Sequence, residues 1–246
     1  MVAGVGLAGS ASAAGASFGP YHQFAPRDGA WGGYVAQGGP FHSITGSWVE
    51  PQVTCNSSND VYAPWTGVDG YGSQTVEQQG VETNCSGGSP QFRPWYEMFP
   101  ASPVYWSDAT AAGDNITGTT TDSGGTYSLT LTDNTAGWTE TTQQSTQAGD
   151  VSAEAVIESP SQSYPSFQDL EFSGVTVDGK SFDSVHPQAI TSGGYGPGPL
   201  SGGSFSIKPG SALGAWTSAH ASPSAVGLTT PKYVAKAPLR PDQIRY

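Results

Sequence analysis

No window of about 11 residues in this chain repeats apolar side chains at the i, i+3, i+4, i+7 spacing of a helix face. Short alternating segments recur instead, at 31–35, 43–49, 76–82, 92–99, 115–121, 127–131, 138–143, 153–157, 167–172 and 174–177. Gly, Asn, Asp and Ser clusters separate them, among them Ser123-Gly-Gly and Asp178-Gly. Side chains along a strand alternate between two faces, so this pattern predicts half-buried strands. There is no strand–helix alternation and no repeat of roughly 20–50 residues. The expectation is all-β: an antiparallel β-sandwich of two large curved sheets, lectin- or jelly-roll-like, in one domain. Its bounds are set at 29–208, after an arm at 1–28 and before a C-terminal extension at 209–246 of different composition.

Charge narrows the function. The 246 residues include 20 Asp plus Glu but only 8 Lys plus Arg, a formal net charge of −12. Such a chain is not held electrostatically on nucleic acid or an anionic bilayer. Five of the basic residues (Lys208, Lys232, Lys236, Arg240, Arg245) lie at 208 or beyond, which leaves the predicted sandwich poorer still in positive charge. Hydrophobic residues make up 36%, with 7 Trp and 11 Tyr, enough to build a core. No apolar run reaches the roughly 20 residues of a membrane-spanning helix. A monomer is expected, with no cofactor and no metal.

The first residues, Val2 to Ala14, are small and apolar, with Ala11-Ser12-Ala13 as a candidate cleavage site for export. Cys55 and Cys85 are the only cysteines, and both stand in polar loops without metal-ligand spacing. They read as one disulfide in an oxidising compartment, so a secreted, extracellular protein is expected. Asn56, Asn84 and Asn115 begin N-x-S/T sequons, which a Ser/Thr-rich chain also produces by chance.

One motif is set aside. Gly174-Val-Thr-Val-Asp-Gly179-Lys180-Ser181 matches the phosphate-binding loop pattern. That loop needs a helix after it, whereas strand-like residues around Asp178-Gly179 predict a hairpin. No G-x-S-x-G and no H-E-x-x-H occur, and the four His are scattered singly.

What remains is a set of carboxylates, amides and aromatics on strands. Parity puts Trp65 with Asp69, Gln78 with Glu82, Trp95 with Glu97 and Phe99, and Glu154 with Glu158. Glu77 and Gln79 point the other way. If the strands are neighbours, one sheet face carries acids, an amide and large aromatics together. That is a poor core face and a good floor for a polymer-binding groove.

These segments carry a family resemblance. Ala30-Trp31-Gly-Gly-Tyr34, Trp65-Thr-Gly-Val-Asp69-Gly, Glu77-Gln78-Gln79-Gly80, Trp95-Tyr-Glu97-Met-Phe-Pro100 and Ala153-Glu154-Ala-Val-Ile-Glu158 follow in the order of the eqolisin hallmarks. The chain resembles the eqolisins, the glutamic peptidases, over roughly 29–208. The resemblance implies hydrolysis of polypeptides in acid by a Gln/Glu dyad, which falls on Gln78 and Glu158. Glu158 would act as base on water and then as acid on the leaving nitrogen; Gln78 would donate to the oxyanion. Trp31, Trp65, Asp69, Glu82, Trp95, Glu97, Phe99 and Glu154 are the candidate substrate contacts.

Departures from the hallmarks are Ala30 for Asn, Glu77 and Gln79 for the Leu and Thr around the Gln, Ala155 for an aromatic, and Ser159-Pro160 for an acidic–aromatic pair. A one-residue shift of the amide to Gln79 is therefore an open alternative. No long pro-segment precedes the domain, so self-processing is not expected. Two rival classes share the outline: a jelly-roll glycosidase using Glu97 with Glu158, and a non-catalytic glycan-binding sandwich.

Overall fold

The computed structural model describes Phe24 and residues 29–210. The signal-like stretch and the chain beyond 210 lie outside the described residues. In chain order the strands are β1 (Trp31–Gln37), β2 (Ser43–Val49), β3 (Val61–Asp69), β4 (Val76–Asn84), β5 (Gln91–Phe99), β6 (Val104–Tyr105), β7 (Asn115–Asp122), β8 (Thr126–Asp133), β9 (Trp138–Ser145), β10 (Ser152–Glu158), β11 (Leu170–Val177), β12 (Lys180–Ser181), β13 (Gln188–Ile190), β14 (Tyr195–Pro197) and β15 (Phe205–Pro209). A single 3₁₀ turn, Phe182–Val185, is the only helical element among the described residues.

They form two open antiparallel sheets, as the alternation predicts. One has the order β13-β1-β10-β3-β4-β5-β6, the other β14-β15-β11-β2-β7-β8-β9. The core between them takes Tyr62, Val81, Ala155 and Ile157 from the first sheet, and Ile44, Trp48, Leu129, Leu131 and Phe172 from the second. A polar cluster sits within this core. Gln79 Nε2 donates to Thr66 O (3.1 Å) and Thr66 Oγ1 (2.9 Å), and Thr120 Oγ1 donates to Gln79 Oε1 (2.7 Å). Gly118 faces it from the second sheet; a Cβ there would stand 2.6 Å from Thr66 Oγ1. Glycine makes room for an amide buried between sheets, and the amide's bonds offset its desolvation.

On β2, β7, β8 and β9 the outer face of the second sheet is lined by paired hydroxyls. Thr45 pairs with Thr119 (3.1 Å), Ser47 with Thr117 (2.8 Å), Thr130 with Thr141 (3.0 Å) and Thr132 with Thr139 (3.0 Å). Such cross-strand pairs contribute roughly 0.2–1 kcal/mol each. They explain how a chain with 11% charged residues wets a broad sheet.

Two elements differ from expectation. The segments at 167–172 and 174–177 are not two strands: residues 170–177 form one strand, β11, bulged between Ser173 and Thr176, with Gly174 at φ 61°. β3 was legible only in its 65–69 half, because all of it is buried and nothing alternates. Pro64 also argues against a central strand; its pairing with β4 is interrupted between Tyr62 and Trp65. The phosphate-loop lookalike is the predicted hairpin, with Asp178 (φ 49°) and Gly179 (φ 71°) at the turn between β11 and β12. Asp178 Oδ1 accepts the backbone N–H groups of His42 and Ser43, both at 2.9 Å.

Cys55 and Cys85 form the expected disulfide, with Cα atoms 5.6 Å apart and a sequence separation of 30. It ties the loop before β3 to the end of β4. Closing a loop of this length stabilises by about 3–4 kcal/mol in the chain-entropy account. A Cys55→Ser/Cys85→Ser chain is expected to lose that much in urea unfolding, with little change in its circular dichroism at zero urea. A loss below 1 kcal/mol would contradict it.

Candidate active site

Register assigns the faces of the first sheet. Val35 lies opposite Glu154, Glu154 opposite Gly67, Gly67 opposite Gln78 and Gln78 opposite Glu97. Directly paired residues share a face, so these five form one row. The next row runs Gly33, Val156, Trp65, Gly80, Trp95, and the next begins Trp31, Glu158, Ala63. Glu82 pairs with Arg93 on the same face. Trp31, Trp65, Asp69, Gln78, Glu82, Trp95, Glu97, Phe99, Glu154 and Glu158 thus all belong to the face turned away from the core. Gln79 belongs to the opposite face, inside the core cluster described above, which removes it as the groove amide.

Glycines give this face its relief. A Cβ on Gly67 would stand 2.9 Å from Gln78 Cβ and 3.1 Å from the Trp65 ring; on Gly80 it would stand 2.7 Å from Trp65 Cβ. Their bare backbone lets the Trp65 indole and the Gln78 amide lie over the sheet. Trp31 meets Trp65 edge to face, with centroids 4.8 Å apart. Glu158 stands two rows along and two strands across from Gln78, with Trp65 between. Its Oε2 accepts the Trp31 indole N–H at 2.8 Å.

The face is covered, where the sequence suggests an open floor. Phe24, from the arm before β1, is fully buried on it. Its ring stacks on Trp95 with centroids 4.3 Å apart and planes 11° from parallel. Its backbone is held at both ends: Phe24 N–H donates to Glu97 Oε2 (3.0 Å), and Gln78 Nε2 donates to Phe24 O (2.8 Å). Gln78 Nε2 also donates to Glu97 Oε2 at 3.1 Å. A main-chain carbonyl only accepts, so the amide must turn its nitrogen to this pair.

Three candidates have other tasks. Asp69, at φ 66°, accepts the backbone N–H groups of Gly149 (2.9 Å), Asp150 (2.8 Å) and Val151 (2.9 Å). It fixes the approach to β10, rather than presenting a free carboxylate to a ligand. Glu82 forms a buried ion pair with Arg93 and accepts from Tyr105 Oη (2.6 Å) and Asn84 Nδ2 (3.1 Å). Arg93 also lies 4.3 Å from the centre of the Tyr105 ring. Phe99 packs at the margin of the Trp31–Trp65–Trp95 cluster.

Glu154 and Glu77 lie on opposite faces of the same sheet, both fully buried, with neither carboxylate partnered among the described residues. Burial holds the Glu154 carboxyl well above its usual range, and the neighbouring acids Asp69 and Glu77 add to this. Burial, then Asp69 and Asp150, push Glu77 up to about 8.

Sequence reasoning missed Phe24, Arg93 and Tyr105. Arg93 alternates in phase with Trp95 and Glu97, a signal that was available. Phe24 has none, because it stands outside any alternating segment.

A sequence model of the Peptidase A4 family matches residues 29–192. The chain belongs to that family, the eqolisins. It is a glutamic endopeptidase, a hydrolase of peptide bonds, rather than a glycosidase or a glycan-binding module. Among solved structures, its fold is similar to scytalido-glutamic peptidase with a transition state analog inhibitor, at TM-score 0.65 and 22% identity. That match covers 74% of this chain and 98% of the other. SCP-B, an eqolisin in complex with the tripeptide Ala-Ile-His, matches at TM-score 0.61 and 22% identity, with 74% and 98% covered. No curated protein matches.

The buried acids of this peptidase carry a pH consequence. Glu77 rises from 4.5 to about 8 on folding, so between those values the folded chain holds a proton that the unfolded chain has released. Stability is therefore full below about 4.5 and falls as pH rises toward 8, by up to roughly 1.4 kcal/mol per pH unit for each such group. Glu77→Gln is expected to flatten the fall in melting temperature from pH 4.5 to 8. An unchanged slope would show that Glu77 is not among its causes.

Proposed function

We propose that this peptidase is a secreted, acid-active monomer working through Glu158 and Gln78. Glu158 takes a proton from water as it attacks a peptide carbonyl, then returns it to the leaving nitrogen. Gln78 donates an N–H to the oxyanion. The observation that carries this reading is the 2.8 Å bond from Gln78 Nε2 to a main-chain carbonyl, that of Phe24. An amide does not titrate, so this donor works at any pH. The Glu97 carboxylate holds the same nitrogen at 3.1 Å and pre-orients it.

Glu154 is the competing carboxylate, level with Gln78 across Gly67. Its burial favours the protonated form, which cannot take a proton from water. Glu158 carries instead a 2.8 Å bond from the Trp31 indole, a donor suited to a carboxylate anion. The disulfide and the signal-like N-terminal residues support secretion.

Casein hydrolysis by the purified chain is expected at pH 3–4 and is expected to resist inhibitors of aspartic, serine, cysteine and metallo-peptidases. Gln78→Ala is expected to lower kcat by roughly 10²–10³, the loss of one oxyanion donor. Glu158→Gln is expected to abolish turnover, with folding verified by circular dichroism. Near-normal kcat in either variant would reject the dyad, and loss confined to Glu154→Gln would move the base to that residue.

A further inference from the structure

A second cluster of chemistry-bearing side chains lies outside the rows of the cleft face. His42, Asp122 and Asp150 each offer one ligand atom, and the three atoms lie within 4.8 Å of one another. They come from three separate places. His42 stands in the connection between β1 and β2, Asp122 at the end of β7, and Asp150 on the approach to β10. His42 and Asp122 thus adjoin the second sheet and Asp150 the first.

Both carboxylates are held from behind. Asp122 Oδ1 accepts the Gly125 N–H (2.7 Å), and Asp150 Oδ1 accepts the Tyr127 hydroxyl (2.6 Å). Each leaves Oδ2 to the imidazole, whose Nδ1 stands 3.4 Å from Asp122 Oδ2 and 3.9 Å from Asp150 Oδ2. These separations are long for hydrogen bonds. They suit a coordination shell, because tetrahedral ligands about 2.0–2.1 Å from a zinc ion stand about 3.4 Å from each other. Donors that fix the far oxygen of a carboxylate are the second layer such a site needs. The surroundings also lack a fixed cation. Glu77 lies near Asp150, fully buried, with both carboxylate oxygens unpartnered among the described residues. Among the described residues no Lys or Arg pairs with Glu77, Asp122 or Asp150. A divalent ion would supply the missing positive charge.

We infer that His42, Asp122 and Asp150 form a structural site for a divalent ion of the zinc type, which clamps the two sheets together at this end. The inference revises the expectation of no metal and does not depend on the Glu158/Gln78 reading. A neutral imidazole bound through Nδ1 and two carboxylate oxygens make three ligands, and water completes the four. A nitrogen among so few donors selects zinc over calcium, which takes six to eight oxygens. The imidazole is 56% exposed, which leaves the ion a way in.

The test uses the full chain, stripped with EDTA, freed of the chelator and titrated with Zn²⁺ at pH 7, where carboxylates and imidazole are free to ligate. Calorimetry is expected to show one ion bound per chain. The melting temperature is expected to rise by about 5–10 °C once free Zn²⁺ exceeds Kd about a hundredfold. Co²⁺ in place of Zn²⁺ is expected to give the visible absorption of a four-coordinate site. His42→Ala and Asp122→Asn are each expected to weaken binding at least tenfold and to lose most of the rise. The first keeps the His42 backbone bonds to Asp178 and Asp122, and the second keeps an acceptor for Gly125 N–H. His186→Ala is expected to bind as the parent chain does.

Absence of saturable Zn²⁺ binding, or binding with no rise in melting temperature, would overturn the inference. So would binding that neither His42→Ala nor Asp122→Asn weakens, which would put the ion elsewhere. An equal rise with Ca²⁺ at the same free concentration would remove the imidazole from the ligands and overturn it too.

Discussion

Everything at this site depends on the register of four antiparallel strands. β10, β3, β4 and β5 are aligned so that Glu154, Gly67, Gln78 and Glu97 stand level. A slip of one residue anywhere would turn a strand over. Slipping β4 alone would send Gln78 into the core and bring Gln79 out. The core cluster guards against that. Gln79 bonds Thr66 on β3 and Thr120 on the second sheet, and both bonds exist only in the observed register. The polar pocket between the sheets therefore acts as a register pin for the amide on the other face, which is a specificity role for buried polar groups.

Buried carboxyls in both sheets make the stability of this molecule depend on pH. Glu77 and Glu154 are buried without partners among the described residues, and Glu50 is buried with only the Trp48 indole at 2.6 Å. Burial pushes Glu50, like Glu77, up to about 8. A buried carboxyl is tolerable when it is neutral and costly when charged. In acid these groups are neutral on folding without further rearrangement. Acid also removes most of the negative charge from the chain, and only 8 Lys plus Arg and 4 His remain to repel one another. The hydroxyl pairs on the outer sheet are indifferent to pH. Charge poverty, which at first only excludes nucleic acid and anionic membranes, thus also limits the self-repulsion that acid would leave.

Period-2 alternation made the fold legible, and face assignment followed from counting residues within each strand. Trp65, Gln78, Glu97 and Glu158 were placed on common faces in that way, and register then merged the faces into one. The failures have physical causes too. Central β3 is buried on both sides and does not alternate. Asp69 looked like one acid among others in a groove. Its left-handed backbone lets its carboxylate collect three N–H groups from the 149–151 segment, a long-range contact that spacing does not encode. Glu82 looked available, but its partners Arg93 and Tyr105 arrive from β5 and β6. Phe24 stands between Gln23 and Ala25, outside any alternating segment, and its importance exists only in three dimensions.

Phe24 also clarifies what Glu97 does. Its Oε2 accepts from both Phe24 N–H and Gln78 Nε2. One carboxylate oxygen thereby fixes the occupant's backbone and the orientation of the amide that reads the occupant's carbonyl. Both bonds converge on a single oxygen, so they constrain the Phe24 backbone and the Gln78 amide together.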